Sequence, residues 1–211
     1  MLKPRWVFLL LYFITYKWKL NNFCSNSPQI ERNLKGEGHN GKITSIVRDT
    51  EGRLFTCGED CQVIMWSIAE EKQLTSWSVG PEKPYSIAYM PVSQSLVVGS
   101  RLIKVYSVET QELLQTFTGH TSEINFMEHF VVNDKIEYAL TTSRMERIIC
   151  MWKIGKKGRN KPASCTLLME DIAHCLSCQL QEEDNTLKVS SVTRSGVIHV
   201  YVIDLTRCVS N

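Results

Sequence analysis

His39, Asp60 and Thr142 are the residue types of an acid–base relay: an imidazole that donates and accepts, a carboxylate that only accepts, and a hydroxyl that a neighbouring base can activate. Catalysis would require such a group to be assembled once, at one place. These residues instead sit in different units of an internal repeat, and polar groups that recur with a repeat are expected to latch strands. Phosphate-loop (GxxxxGK[ST]), dinucleotide (GxGxxG), nucleophile-elbow (GxSxG) and HExxH patterns have no match. The expectation is a chain that is not an enzyme, with no cofactor and no small-molecule substrate.

Two further clusters have chemistry-bearing spacing. Cys175-Leu-Ser-Cys178, preceded by His174, has the spacing of half a zinc site. No second pair follows, and residues three apart on a strand face opposite sides, so core packing is expected and no metal. Residues 155–161, GKKGRNK, form a basic cluster read as an exposed loop. Its Lys156, Lys157, Arg159 and Lys161 are candidates for contact with a phosphate backbone or an acidic partner. Charge of that kind positions a ligand without specifying it.

The elements that must position these groups repeat from Gly38 onward. The first unit reads ITSI, LFTC, VIMWSI and LTSWSV, with turns at Glu51-Gly52 and Gly58-Glu59-Asp60. The second reads YSIAYM, SLVVGS, LIKVYSV and ELLQTFT, the third INFMEHF, EYALTTS, RIICMWKI and CTLLM, the fourth CLSCQL, LKVSSVT and VIHVYVI. Equivalent aromatics, Trp66, Tyr106, Trp152 and Tyr201, are separated by 40, 46 and 49 residues. Short β-branched runs between turn residues at that period predict an all-β chain of four-stranded units. The expected organisation is residues 1–37 as an atypical leader and 38–211 as the repeat region, in units near 38–79, 84–118, 119–169 and 173–211.

Composition agrees with a folded domain. Hydrophobic residues make up 43% and charged residues 22% of 211 residues, and the net charge of +2 provides no overall field toward nucleic acid or an anionic membrane. The eight cysteines fall mostly in strand-like runs, which reads as buried reduced thiols in a reducing compartment. Residues 6–16, WVFLLLYFITY, flanked by Lys3, Arg5, Lys17 and Lys19, have the outline of a signal-peptide core. The run is short for a membrane span, which needs ~20 residues, and no small-residue cleavage site follows. A non-homologous leader is expected. The alternative is a membrane-anchored or secreted protein, should residues 1–20 be a genuine signal.

Over residues 38–211 the chain resembles the WD-repeat family. The resemblance rests on Gly38-His39 and Gly119-His120, on Trp66 and Trp152, and on Asp60 six residues before Trp66. It implies a partial β-propeller of about four blades. It also implies, in unit one, a buried hydrogen-bonded tetrad of His39, Thr56, Asp60 and Trp66. Unit three would form a variant from His120, Thr142, Glu146 and Trp152, with the longer Glu146 in place of Asp. Units two and four lack the tetrad, with Gly99-Ser100 and Ser195-Gly196 at the turns and Tyr106 and Tyr201 in place of Trp.

Within that family, LIKVYSVET followed by FTGH, residues 102–110 and 117–120, looks like the Utp5-type WD-repeat subunit of the nucleolar small-subunit processome, in the t-UTP (UtpA) subcomplex. This implies a nucleolar scaffold supporting pre-rRNA transcription and processing, with other processome and t-UTP subunits as partners. Pre-rRNA would be met indirectly or through the basic loop. The alternative within the fold is a general protein-interaction adaptor. Propellers close with ~4 to 8 blades, so four of about seven leave two open edges, and the isolated chain is expected to need a partner.

Overall fold

The computed structural model describes residues 16–18, 30–155, 158–161 and 163–208. Its described elements are β-strands except for one helical turn, α1 (Leu205–Cys208). β1 (Tyr16–Trp18) pairs antiparallel with β2 (Ile30–Asn33). The first repeat sheet then contains β3 (Ile43–Arg48), β4 (Arg53–Gly58), β5 (Gln62–Ser67) and β6 (Lys72–Ser78), each hydrogen-bonded to the next. The second contains β7 (Ser86–Met90), β8 (Ser95–Gly99), β9 (Ile103–Ser107) and β10 (Leu113–Phe117). β11 (Ile124–Val132), β12 (Ile136–Ser143), β13 (Ile148–Ile154) and β15 (Cys165–Leu168) form the third, and β16 (Ala173–Gln181), β17 (Thr186–Thr193) and β18 (Ile198–Asp204) the fourth. The chain is therefore an all-β array of up-and-down sheets, a partial propeller.

Turn chemistry fixes the strand registers. Between β11 and β12 the two central residues, Asn133 and Asp134, have φ of 51° and 52°, and Lys135 N donates to Val132 O at 3.2 Å. Asn and Asp tolerate this left-handed pair, whose twist matches that of a two-residue hairpin. Between β3 and β4, Asp49 accepts from Glu51 N, Arg53 N and Arg53 Nε at 2.9, 2.8 and 2.6 Å, and Gly52 supplies φ of 87°.

Consecutive sheets pack face to face through three apolar clusters, each built from alternate residues of facing strands. Phe55, Cys57 and Val63 of the first sheet meet Ile87, Leu96 and Val98 of the second. Ile103, Val105 and Phe117 of the second meet Ala139, Cys150 and Trp152 of the third. Tyr138, Leu140 and Met151 of the third meet Leu176, Leu187 and Val189 of the fourth. Each seam is also stitched by a side chain on a first strand donating to a backbone carbonyl near the start of the next first strand. Thr44 Oγ1 reaches Pro84 O at 2.7 Å, Ser86 Oγ reaches Ile124 O at 3.1 Å, and Asn125 Nδ2 reaches His174 O at 3.5 Å. A further clasp joins sheets two and three: Glu137 is 2% exposed, and its two carboxylate oxygens accept from Val92 N at 2.6 Å and Ser93 N at 2.9 Å.

Two segments depart from the sequence expectation. The basic stretch was expected to be an exposed loop, but Gly158–Lys161 forms a strand, β14, paired parallel with the outer edge of β10. The connection from β13 to β15 passes that edge, whose unpaired N–H and C=O groups accept another strand as readily as solvent. Gly155 N donates to Gln115 Oε1 on β10 at 3.3 Å as the segment enters. Lys156 and Lys157 lie outside the described residues. The stretch 1–37, expected as an atypical leader outside the repeat region, is joined to the first sheet: besides β2, Lys35 bridges β6, donating to Glu71 O and accepting from Gln73 N at 2.8 and 2.7 Å. Most of the apolar run, residues 6–15, lies outside the described residues, and no helix among the described residues is long and apolar enough to cross a membrane.

Candidate functional site

In the first sheet, strand pairing brings four side chains into a line. Leu54 pairs with Trp66, so Thr56, two residues along β4, lies on the same face as the indole. Trp66 Nε1 donates to Thr56 Oγ1 at 2.9 Å, His39 Nε2 lies 2.8 Å from the same oxygen, and His39 Nδ1 lies 2.9 and 3.0 Å from the Asp60 carboxylate oxygens. Asn40 N and Gln62 N also donate to Asp60, at 2.9 and 3.2 Å.

Donor counting sets the proton positions. The indole can only donate, so Thr56 oxygen accepts from it and gives its own proton to His39 Nε2, which leaves the proton on Nδ1 facing Asp60. Burial pushes the Asp60 carboxyl up. The hydrogen bond from His39 and the two backbone N–H groups outweigh burial and hold the group below the ordinary carboxylate range.

The third sheet repeats the line with one residue changed from expectation. His120 Nε2 lies 2.8 Å from Thr141 Oγ1, and Trp152 Nε1 donates to that oxygen at 2.7 Å. Thr142, the residue expected from the sequence, is not the hydroxyl of the latch. Trp152 pairs with Ala139, so Thr141 shares its face and Thr142 points to the other, where its Oγ1 lies 3.4 Å from Asn125 Oδ1. The turn between β12 and β13 separates hydroxyl from indole by one residue more than in the first sheet, and a one-residue slip exchanges the faces of a strand.

Glu146 occupies the carboxylate position. Its Oε2 lies 2.6 Å from His120 Nδ1 and accepts from Ser143 Oγ, while Oε1 accepts from Thr121 N and Oγ1 at 2.8 and 2.6 Å. Burial raises its pKa, but the bonds from Ser143, Thr121 and His120 together bring it down to about 2. Burial also lowers the pKa of His120, against the pull of Glu146. A neutral imidazole and a charged carboxylate result. Gly119 precedes His120 because a Cβ there would stand 2.7 Å from Trp152 Cη2.

The second and fourth sheets carry a tie that sequence reasoning missed. Ser100 Oγ donates to Glu82 Oε2 at 3.0 Å, and Ser195 N and Oγ donate to Asp171 Oδ2 at 3.3 and 2.7 Å. The carboxylate now sits on the entering loop and the hydroxyl on the second turn, the reverse of the latch. The only signal was an acidic residue shortly before the first strand, which also fits any solvated loop. In the fourth sheet, Tyr201 pairs with Val189, which puts Ser191 at the position of Thr141. No imidazole bridges them, and Ser191 Oγ and Tyr201 Oη are buried with no hydrogen-bond partner. In the second sheet Val98 holds the hydroxyl position, and Tyr106 Oη donates to Val79 O at 3.3 Å.

The latches have no group free for chemistry. Each hydroxyl proton is held by histidine, each hydroxyl oxygen is capped by indole, and His39 and His120 side chains are 1% and 0% exposed. Cys175 and Cys178 lie on β16, with Cys178 packed against the cluster between sheets three and four. Among the described residues no three His, Cys, Asp or Glu side chains converge as a metal site. Cys57, Cys61, Cys150 and Cys175 are free thiols. Arg159 and Lys161 lie on β14.

Sheet architecture and latch geometry together define a partial β-propeller. Residues 31–67 match the family model "WD domain, G-beta repeat". Among curated relatives, WD repeat-containing protein 43 of Homo sapiens is 21% identical over 185 residues, covering 82% of this chain and 27% of that protein. Among solved structures, the crystal structure of RRP9 WD40 repeats superposes with a TM-score of 0.58 at 21% identity, covering 80% of this chain and 52% of that one. The chain thus spans only part of each.

Proposed function

We propose that this chain is a non-catalytic scaffold of nucleolar ribosome biogenesis, supporting pre-rRNA transcription and the processing that yields small-subunit rRNA, with other processome and t-UTP subunits as its partners. The observation that carries this reading is the run LIKVYSVET…FTGH, whose resemblance to the Utp5-type subunit extends to residues the fold does not need. Within it, Ile103, Val105, Tyr106 and Val108 are buried core that any such sheet requires. Glu109 and Thr110 are exposed in the turn to β10 and bury nothing. Alignment with a WD-repeat relative over 82% of the chain supports treating the four sheets as one inherited unit. Closed latches leave surface recognition as the available activity.

Affinity purification of the tagged full chain from growing cells tests this. Co-recovery of other processome subunits with precursor rRNA, and nucleolar fluorescence of a fusion, are the expected results. Recovery of neither the subunits nor the precursor would refute the proposal.

A further inference from the structure

We infer that Asn40 is a site of spontaneous deamidation, and that its conversion to isoaspartate loosens the latch of the first sheet. Asn40-Gly41 is the only Asn-Gly pair in the chain. A side-chain amide is open to attack by the following backbone nitrogen when three conditions meet. The next residue has no side chain to crowd the five-membered ring, its N–H is not engaged, and water reaches the place. All three hold here. Asn40 and Gly41 are both exposed, in the bend between His39 and β3. Among the described residues neither the Asn40 side-chain amide nor Gly41 N makes a hydrogen bond, and Asn40 is tied to the sheet through its own backbone N–H, which donates to Asp60 Oδ2 at 2.9 Å. Other described asparagines differ: Asn125 lies on β11, donates from Nδ2 to His174 O at 3.5 Å and precedes Phe126, while Asn133 and Asn185 precede Asp134 and Thr186.

The step needs only water. Gly41 N gives its proton to hydroxide and attacks Cγ of Asn40; the bond from Cγ to the side-chain nitrogen breaks, ammonia leaves, and a succinimide closes. Water then opens the ring at one of its two carbonyls. Opening at Cγ gives aspartate. Opening at the main-chain carbonyl gives isoaspartate, in which the backbone runs through the former side chain and the main-chain carbonyl carbon becomes a free carboxylate.

Isoaspartate adds one methylene to the backbone between residues 40 and 41, and the latch has no slack for it. This stretch is bonded on both sides to the same turn: Asn40 N donates to Asp60, and Lys42 O accepts from Glu59 N at 2.8 Å. A carbon placed on Gly41 would already stand 2.9 Å from Asp60 N. One of the two bonds must therefore let go. The new carboxylate also adds a like charge on the residue whose N–H binds Asp60, and the two repel. The third sheet has no such weak point. Thr121 and Ser122 take the places of Asn40 and Gly41, and both hydroxyls are bonded, Thr121 Oγ1 to Glu146 at 2.6 Å and Ser122 Oγ to Ser143 Oγ at 3.0 Å. The first latch thus has a chemical lifetime that the other lacks.

Ageing the full chain in mildly alkaline buffer, with tryptic digestion and mass spectrometry at intervals, is the test. The tryptic peptide 36–42, bounded by Lys35 and Lys42, should gain the mass of amide-to-acid conversion, while Asn125, Asn133 and Asn185 stay amides. Its rate should lie within ~10-fold of that of a synthetic peptide of the same sequence, since an exposed loop needs little opening to react. Isoaspartate is read separately, as methyl transfer from labelled S-adenosylmethionine by an isoaspartyl-specific methyltransferase. The converted chain should melt ~2–4 °C below the fresh one, the shift that loss of one such bond gives in a chain of this size. Freshly purified Asn40→Asp, which has the charge without the methylene, should lose less. Asn40→Gln, whose ring would have six members, should neither convert nor change its melting with age. Survival of the Asn40 amide while the synthetic peptide converts, conversion without isoaspartate, or a converted chain that melts like the fresh one would overturn the inference.

Discussion

Replacing Thr141 by valine removes one hydroxyl and keeps the shape of the side chain. Two buried groups lose their partner: Trp152 Nε1, at 2.7 Å, and His120 Nε2, at 2.8 Å. Trp152 is 0% exposed and Thr141 0%, so water cannot enter without repacking. An orphaned buried polar group costs ~1–3 kcal/mol, which places the pair at about 2–4 kcal/mol once some relaxation is allowed. Thr142→Val, one residue away and equally buried, forfeits only a 3.4 Å contact with Asn125 and should cost less than ~1 kcal/mol. Urea unfolding followed by tryptophan fluorescence separates them: at a slope of ~2 kcal/mol/M, a 3 kcal/mol loss moves the midpoint by ~1.5 M. If Thr142→Val shifts the midpoint as far as Thr141→Val, the assignment of the latch hydroxyl is wrong.

Four further outcomes follow from the same geometry. Ser191→Ala, by contrast, deletes a buried hydroxyl without a partner, so stability should be unchanged or rise by up to ~1 kcal/mol in the same urea titration. Both His120 and Glu146 have folded pKa values below their unfolded ones, so protons bind the unfolded chain more tightly and stability falls as pH falls. The loss should begin below the ordinary histidine value of 6.5 and deepen from 4.5 toward about 2, with Glu146→Gln removing the lower portion in thermal melts. Glu137→Ala frees Val92 N and Ser93 N and should lower stability by ~1–3 kcal/mol, with amide exchange of residues 92–93 accelerating first. Burial pushes the thiols of Cys57 and Cys150 up to about 12 and about 11, so maleimide labelling at pH 8 read by mass spectrometry should spare both until the chain is unfolded.

Strand periodicity and turn residues were legible because each is local: Glu51-Gly52 announces its turn, and the recurring aromatics announce the repeat. The carboxylates and histidines of both latches were legible from the dipeptide Gly-His and the spacing to Trp. The hydroxyl of the third sheet was not, because choosing between Thr141 and Thr142 requires the register of β12 against β13, set by a turn one residue longer than its counterpart. β14 was hidden for a different reason. A glycine- and lysine-rich segment has low strand propensity, and its pairing comes from an edge some forty residues earlier in the chain. The reversed ties at Glu82–Ser100 and Asp171–Ser195 escaped because the repeat preserves a contact there while exchanging which side contributes the acid.

Full latches in sheets one and three, alternating with the simpler ties of two and four, give the array an uneven distribution of cooperativity. In a row of units where each touches only its neighbours, the overall stability behaves as intrinsic energies plus nearest-neighbour couplings. Sheet two, weak by itself, is held between two self-sufficient neighbours and can drift in sequence at little cost. Sheet four lacks the full latch and carries two orphaned hydroxyls, on Ser191 and Tyr201, and so should open ahead of sheet three, against which it packs.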